Sequence, residues 1–404
     1  MINRRDIFFG VALFYIIYIT FPLFELIIPI KTLSICTLSI ILFLYPTVFL
    51  TKSMLWTLIY LFLLFCYAIF ERPVTVGVGI MSGFQSVILE SAFLLPPIAI
   101  LGVLSTIDDR MFLKRFGRSI ALVLLVSVVF VIISLKANPY ILREAHTEQL
   151  YIPGLPQYTL MHAYIIMLPQ FFYAYIGKSN IARLFITILL FSYLYLLYST
   201  YITTLLLLVV GVVVASLIYA YRTKPIFWLI ILSLLIIAIS VNENVVISFF
   251  DKLIDLYYGT AVQEKIEDFK WSFINGRLNG DTIEGRMSYH DVSWNSFYKN
   301  VFIGGGEYGR HSSLIDRLGG MGILVFFPYC MIIITSIKTM LHRFIDKSMR
   351  FYFGTSVFCV FVILYNKGLF GVQGWLFFLV LMPIVSFWLQ EMKVIPNERK
   401  LTKL

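Results

Sequence analysis

Two basic side chains, Arg286 and His311, bracket the stretch of this 404-residue chain with the richest potential for chemistry. Residues 304–313 read Gly304-Gly305-Gly306-Glu307-Tyr308-Gly309-Arg310-His311-Ser312-Ser313 and run directly into Leu314-Ile315-Asp316-Arg317 and an apolar segment. Glycines allow close backbone approach, and Ser312 or Ser313 can cap a helix. The pattern predicts a flexible loop delivering His311 to a helix N-terminus, where free N–H groups and a partial positive charge suit a phosphate. Arg286, Arg310 and Arg317 stay charged at any working pH and bond in bidentate fashion, which makes them natural partners of a diphosphate. Arg286 also sits at the start of a predicted helix, an end that does not itself favour a cation, so its placement points to a role outside the helix. The glycine run is not a Walker loop, because no Gly-Lys-Ser/Thr follows.

Other residues join this set with two readings each. Trp294, with Trp271, Tyr289, Tyr298 and Tyr308, either stacks on sugar faces or belongs to an interfacial aromatic belt. Glu307 and Asp316 are the acidic members of the same stretch and are counted among the ligand-facing groups. Glu90 lies inside an apolar run, where a carboxylate is costly and either lines a cavity or pairs with a cation. Glu25 and His162 lie nearer the ends of apolar runs, and a structural role is favoured for both. Cys36, Cys66, Cys330 and Cys359 all fall in apolar stretches, which argues for small buried hydrophobes rather than disulfides or a zinc site. Asp108-Asp109 is expected to solvate a loop, and no acidic metal motif is found on the side that carries His311, so the site is expected to use neither metal nor cofactor.

The elements that must hold these residues follow from composition. Hydrophobic residues make up 60% of the chain and charged ones only 13%, too little polar material to cover a globular surface, so a bilayer must act as solvent. Apolar runs predict about twelve spans, near 7–29, 33–50, 54–70, 84–104, 119–135, 157–177, 183–199, 203–221, 226–244, 319–339, 351–366 and 369–389. The first lacks a cleavage site and reads as a retained span. Arg4, Arg5, Lys52, Arg110, Lys114, Arg115, Arg118, Lys178, Arg183, Arg222, Lys224, Lys338, Arg343, Lys347 and Arg350 then share one side with the basic tail from Lys393, which places both termini in the cytoplasm. The net charge of +10 thus reflects topology, and nucleic acid is not an expected partner. Two outer loops remain, a small one at 137–156 and a large one at 245–317 carrying the candidate site. Within the large loop, 246–257 reads as an amphipathic interfacial helix, with further helices at 261–273 and 284–300. In that last helix Met287, Trp294 and Tyr298, with Val301 just beyond, fall near one stripe. The expected fold is all-α, a single polytopic membrane domain over 1–404.

The ordered set Gly285-Arg286, Trp294, Phe302-Ile303-Gly304-Gly305-Gly306, His311-Ser312-Ser313-Leu314-Ile315-Asp316 and Gly319-Gly320-Met321-Gly322-Ile323 resembles the core of the bacterial O-antigen ligase and polymerase superfamily. The resemblance covers the large loop and the following helix in detail and the rest of the chain in topology. It implies a GT-C type fold and an inverting, metal-independent glycosyltransferase of the bacterial cytoplasmic membrane. Its donor would be an oligosaccharide on undecaprenyl pyrophosphate. Arg286 would hold the diphosphate and His311 would help activate the acceptor hydroxyl. A further arginine expected in the small outer loop falls on Arg143, where the local match is poor.

The His-Ser-Ser-Leu-Ile-Asp string resembles repeat-unit polymerases of O-antigen or capsule more closely than ligases, which transfer finished glycan to lipid A core. A polymerase is therefore the favoured expectation, with membrane lipids, a chain-length regulator and a flippase of the same pathway as its partners. A flippase or other secondary transporter is the alternative from a different class. Transporters tend to show related halves and midplane polar sites, whereas this chain gathers its polar residues in one loop.

Overall fold

The computed structural model describes residues 3–21, 28–70, 83–107, 109–137, 166–167, 169–171, 173, 187–190, 243–259, 263–275, 284–309, 312–366 and 371–391. Among the described residues the regular structure is helical throughout, with no strand. Five helices open the chain: α1 Arg4–Thr20, α2 Ile30–Leu44, α3 Lys52–Ile69, α4 Gly83–Thr106 and α5 Arg110–Ala137. After residue 242 come α6 Glu243–Leu256, α7 Gln263–Asn275, α8 Glu284–Lys299, α9 Ser313–Leu341, α10 Lys347–Asn366, the short α11 Val372–Leu376 and α12 Met382–Glu391. A single π-helical turn, Phe377–Leu381, joins the last two.

Four of these helices, α3, α4, α5 and α9, are long and apolar enough to cross a membrane. Many of their large apolar side chains point outward, Phe62, Leu122, Val126, Ile133 and Phe327 among them, a pattern suited to lipid rather than water. Shorter apolar helices lie at Ile30–Leu44, Met349–Tyr365 and Gly374–Gln390. The expected spans at 157–177, 183–199, 203–221 and 226–244, and the small loop at 137–156, fall almost wholly outside the described residues.

Contacts between helix ends sort the bundle into two poles. At one pole Arg5 pairs with Asp109 at 3.1 Å, and the Arg343 guanidinium donates to the Ile107 carbonyl at 2.9 Å and to that of Ser105. At the other pole the Tyr67 hydroxyl near the end of α3 meets Ile303 and Met321, and Ser312 reaches Leu364 near the end of α10. The starts of α1, α3, α5 and α10 therefore share the first pole, together with Arg5, Lys52, Arg110 and Lys347. That grouping matches the charge pattern read from the sequence. Asp109 itself has a definite task, since its carboxylate also accepts from the Phe112 N–H at 3.0 Å and so caps α5.

The second pole carries α8, and the bounds of α6, α7 and α8 lie within a few residues of the helices expected in the large loop. α6 and α7 pack on each other through Tyr257, Ile266, Phe250, Leu253 and Ile254. α8 packs against α9. Helix α9 starts at Ser313, six residues before the expected span, and carries Asp316 and Arg317 into the bundle interior.

Candidate functional site at the α8 and α9 seam

The start of α9 is fixed by polar groups that satisfy one another. Ser312 is the N-cap, and its Oγ accepts from the Ile315 N–H at 3.1 Å. The Ser312 N–H in turn donates to Asp316 Oδ2 at 2.9 Å, reproducing the logic of a capping box with the acid one residue later than usual. Asp316 Oδ1 accepts from Ser293 Oγ of α8 at 2.6 Å, and that hydroxyl accepts from the Gly309 N–H at 2.8 Å. One turn on, Ser296 Oγ donates to the Gly319 carbonyl at 3.0 Å and accepts from the Glu307 N–H at 3.0 Å. Loop 300–309 is thereby stitched to both helices.

Glycine makes this seam possible because main chain meets main chain. A Cβ on Gly319 would fall well inside van der Waals contact with the Ser293 backbone. Gly322 has φ 65°, the left-handed region that L side chains avoid, and α9 breaks there. Beyond the break the freed amides find other acceptors: Ile323 N–H donates to the Val301 carbonyl and Leu324 N–H to that of Phe302, both at 3.0 Å. Gly305 N–H donates to the Gly319 carbonyl at 3.1 Å, and the Tyr67 hydroxyl donates to Met321 at 2.9 Å with Ile303 at 3.2 Å. A broken helix inside a bundle is tolerated only when its freed groups are satisfied in this way.

Beneath the seam lies a buried charged cluster. Arg317 Nη2 donates to Glu90 Oε1 at 2.8 Å, with the two side chains 7% and 2% exposed. Its Nε–H donates to the Tyr60 hydroxyl at 3.1 Å, which donates to the same Glu90 oxygen at 3.0 Å. Nη1 reaches the Ser313 carbonyl at 3.0 Å, and the Tyr329 ring covers the guanidinium with its centroid 4.4 Å from Cζ. Of the two readings open for Glu90, the structure contains the pairing with a cation.

The structure thus joins some sequence candidates and separates others. Glu90 meets Arg317, whose guanidinium turns inward, and Asp316 is occupied by Ser293 and Ser312. Glu307 stays at the surface in an ion pair with Lys299 at 2.8 Å. Trp294 stacks on Tyr298 with ring centroids 6.2 Å apart, along an edge of α8 away from its buried face. Arg286 belongs to the first turn of α8. Its side chain, together with Arg143, Arg310 and His311, lies outside the described residues.

Sequence reasoning missed Tyr60, Tyr67, Ser293, Ser296 and Tyr329. Ser293 and Ser296 are three apart on a helix, opposite a glycine-rich run, which is the small-residue signature of close helix packing. Tyr60 and Tyr67 are seven apart, and so on one face of α3. No protein-family model matches the chain, and no curated protein matches it.

Proposed function

We propose that the protein is an oligosaccharide repeat-unit polymerase, extending an O-antigen or capsular glycan on undecaprenyl pyrophosphate at the outer face of the bacterial cytoplasmic membrane. On this reading it is an inverting, metal-independent glycosyltransferase of GT-C type with about twelve spans and both termini cytoplasmic. One observation carries the reading. The pieces that resemble the superfamily and lie among the described residues, Trp294, residues 302–306, Ser312 to Asp316 and residues 319–323, belong to one packed unit of α8, its following loop and the start of α9.

In the reaction so proposed, an acceptor hydroxyl attacks the donor sugar C1 while the bond from C1 to the diphosphate breaks. His311 helps activate the acceptor hydroxyl. Negative charge grows on the leaving diphosphate, and Arg286, with Arg310 beside His311, stabilises it. Glu307, Trp294 and Arg143 complete the polar and aromatic lining on this reading. Flippase and chain-length regulator are the expected pathway partners.

The test is deletion of the gene followed by sizing of the glycan on each carrier. Loss of a polymerase leaves single repeat units on the final acceptor. Long carrier-linked polymer in the deletion strain would replace this reading with a ligase. Within the enzyme, Arg286→Ala and His311→Ala abolish polymer, whereas Arg286→Lys keeps charge, loses the bidentate fork and recovers part. For the topology, a cysteine at Asn295, exposed on α8, is labelled by an impermeant reagent from outside the cell; labelling only from the cytoplasm overturns it.

A further inference from the structure

We infer that Arg317, Glu90 and Tyr60 are positioning residues for the outer-loop site, holding residues 313–321 of α9 and loop residues 300–309 in register, and that Arg317 does not contact substrate. The inference rests on the proposed reading of that loop as the reaction site.

Its physical basis is the break at Gly322. Residues 313–321 form a helical piece whose direction is not inherited from the rest of α9, because the chain leaves helical geometry at Gly322. Something else must set its axis and rotation. The serine, aspartate and glycine contacts hold the piece to α8 and the loop, both of which lie on the same outer side as the piece itself. Among the described residues, the Arg317 cluster and the Tyr67 hydroxyl supply directional bonds from it to α3 and α4, the long apolar helices of the bundle.

Arg317 does so with directional bonds to three places. Nη2 points to Glu90 on α4, Nε to Tyr60 on α3 and Nη1 to Ser313 in its own first turn. A planar guanidinium satisfies all three only in one placement of the helical piece. Any shift that parted Arg317 from Glu90 would leave two unpaired charges in an apolar interior, which is a strong penalty against alternative registers. Tyr60 both accepts from Arg317 and donates to Glu90, so the three groups act as one unit. Tyr60 and Tyr67 stand two turns apart on α3 and hold the piece at its middle and at its break. With three N–H groups bonded and one ring face covered by Tyr329, the guanidinium is held in the bundle interior by protein partners.

The test uses the full chain purified into lipid nanodiscs with a lipid-linked repeat unit as substrate. Steady-state kinetics are combined with hydrogen exchange at the Gly305, Ile323 and Leu324 amides, which report the seam directly. Arg317→Lys keeps the charge and one partner but cannot reach all three. It is expected to lower kcat on the order of 10- to 100-fold with donor KM nearly unchanged, the scale of effect that misplacing reacting groups produces, and to speed exchange at the three amides. Tyr60→Phe leaves the ion pair in place and gives a smaller loss of kcat in the same direction, with the same amides affected. If Arg317→Lys does not accumulate in the membrane, Tyr60→Phe decides alone: unchanged exchange and unchanged kcat overturn the inference. A rise in donor KM with kcat and exchange unchanged in Arg317→Lys also overturns it, by making Arg317 a substrate ligand. Faster exchange in both variants while Arg286→Ala keeps full activity preserves the positioning role and removes the proposed reaction site instead.

Discussion

The α1 and α5 contact at one pole of the bundle and the α8 and α9 seam at the other are packed by different means. At the pole of Arg5 and Arg343, helices α1 and α5 meet through large rings: Phe8 lies 6.4 Å from Phe112 and 6.5 Å from Phe116, Phe9 lies 5.4 Å from Phe116, and Arg115 sits 5.0 Å over Phe9. At the α8 and α9 seam the contacts are glycine backbone, serine hydroxyls and one aspartate over a buried ion pair, with ring contacts such as His290 with Tyr365 at 5.2 Å beside them. Ring packing is non-directional, and neighbouring side chains can adjust when one of them changes. Backbone packing cannot adjust, because a displaced carbonyl or amide loses a hydrogen bond and has no rotamer to fall back on. The first pole is built to be stable, and the second is built to hold one geometry.

The largest effect expected from this contrast is that of Arg317→Ala. Removing the cation leaves Glu90 buried without a partner, at a cost of about 3–5 kcal/mol. The double substitution Glu90→Leu with Arg317→Met restores most of that loss in a thermal unfolding measurement in detergent, because the apolar pair carries no desolvation cost. It does not restore activity. Full activity in the stabilised double variant would mean that the cluster serves stability alone.

Next in size is Gly322→Ala, which forces a side chain into the left-handed region and onto the Phe302 backbone, costing about 3 kcal/mol. The expected readout is a lowered unfolding temperature together with faster exchange at Ile323 and Leu324. At the aromatic pole Phe116→Leu changes a fully buried side chain yet costs only about 1 kcal/mol, the loss of its ring contacts. Equal losses for Gly322→Ala and Phe116→Leu would erase the distinction between the poles.

Two small effects sharpen it. Lys299→Ala breaks an ion pair whose partners are 58% and 59% exposed, so the cost is below about 1 kcal/mol and vanishes in high salt. Tyr329→Phe keeps the ring over Arg317 and removes a buried hydroxyl that has no hydrogen-bond partner among the described residues. Its effect on the unfolding temperature is near zero, in contrast to Tyr60→Phe, which removes a hydroxyl bonded on both sides.

The sequence made α6, α7 and α8 legible because their polar and apolar periods are complete within short windows, and all three fall within a few residues of their expected bounds. It also offered Ser312 or Ser313 as a helix cap, and Ser312 is the N-cap of α9, although the apolar span was expected to open only at 319. Asp316 and Arg317 interrupt the apolar run, and a hydropathy reading therefore opens the span at 319. In the folded chain both charges are satisfied, by Ser293 and Ser312 in one case and by Glu90 and Tyr60 in the other, so the helix begins at Ser313. The expected stripe of Met287, Trp294, Tyr298 and Val301 rests on helical spacing. The seam instead selects Ser293 and Ser296, because close backbone approach requires small residues.

By itself the sequence determined the helical, bilayer-suited character found among the described residues, and it gathered its candidate residues mainly in the stretch 286–317. Composition and periodicity are local properties, and they survive without knowledge of any partner. Only the tertiary structure decided that Glu90 on α4 and Tyr60 on α3 meet Arg317, 227 and 257 positions away in the chain, and that Asp316 belongs to a cap. Burying a charge is prohibitive alone and permitted in company, and which residues provide that company depends on how the helices pack.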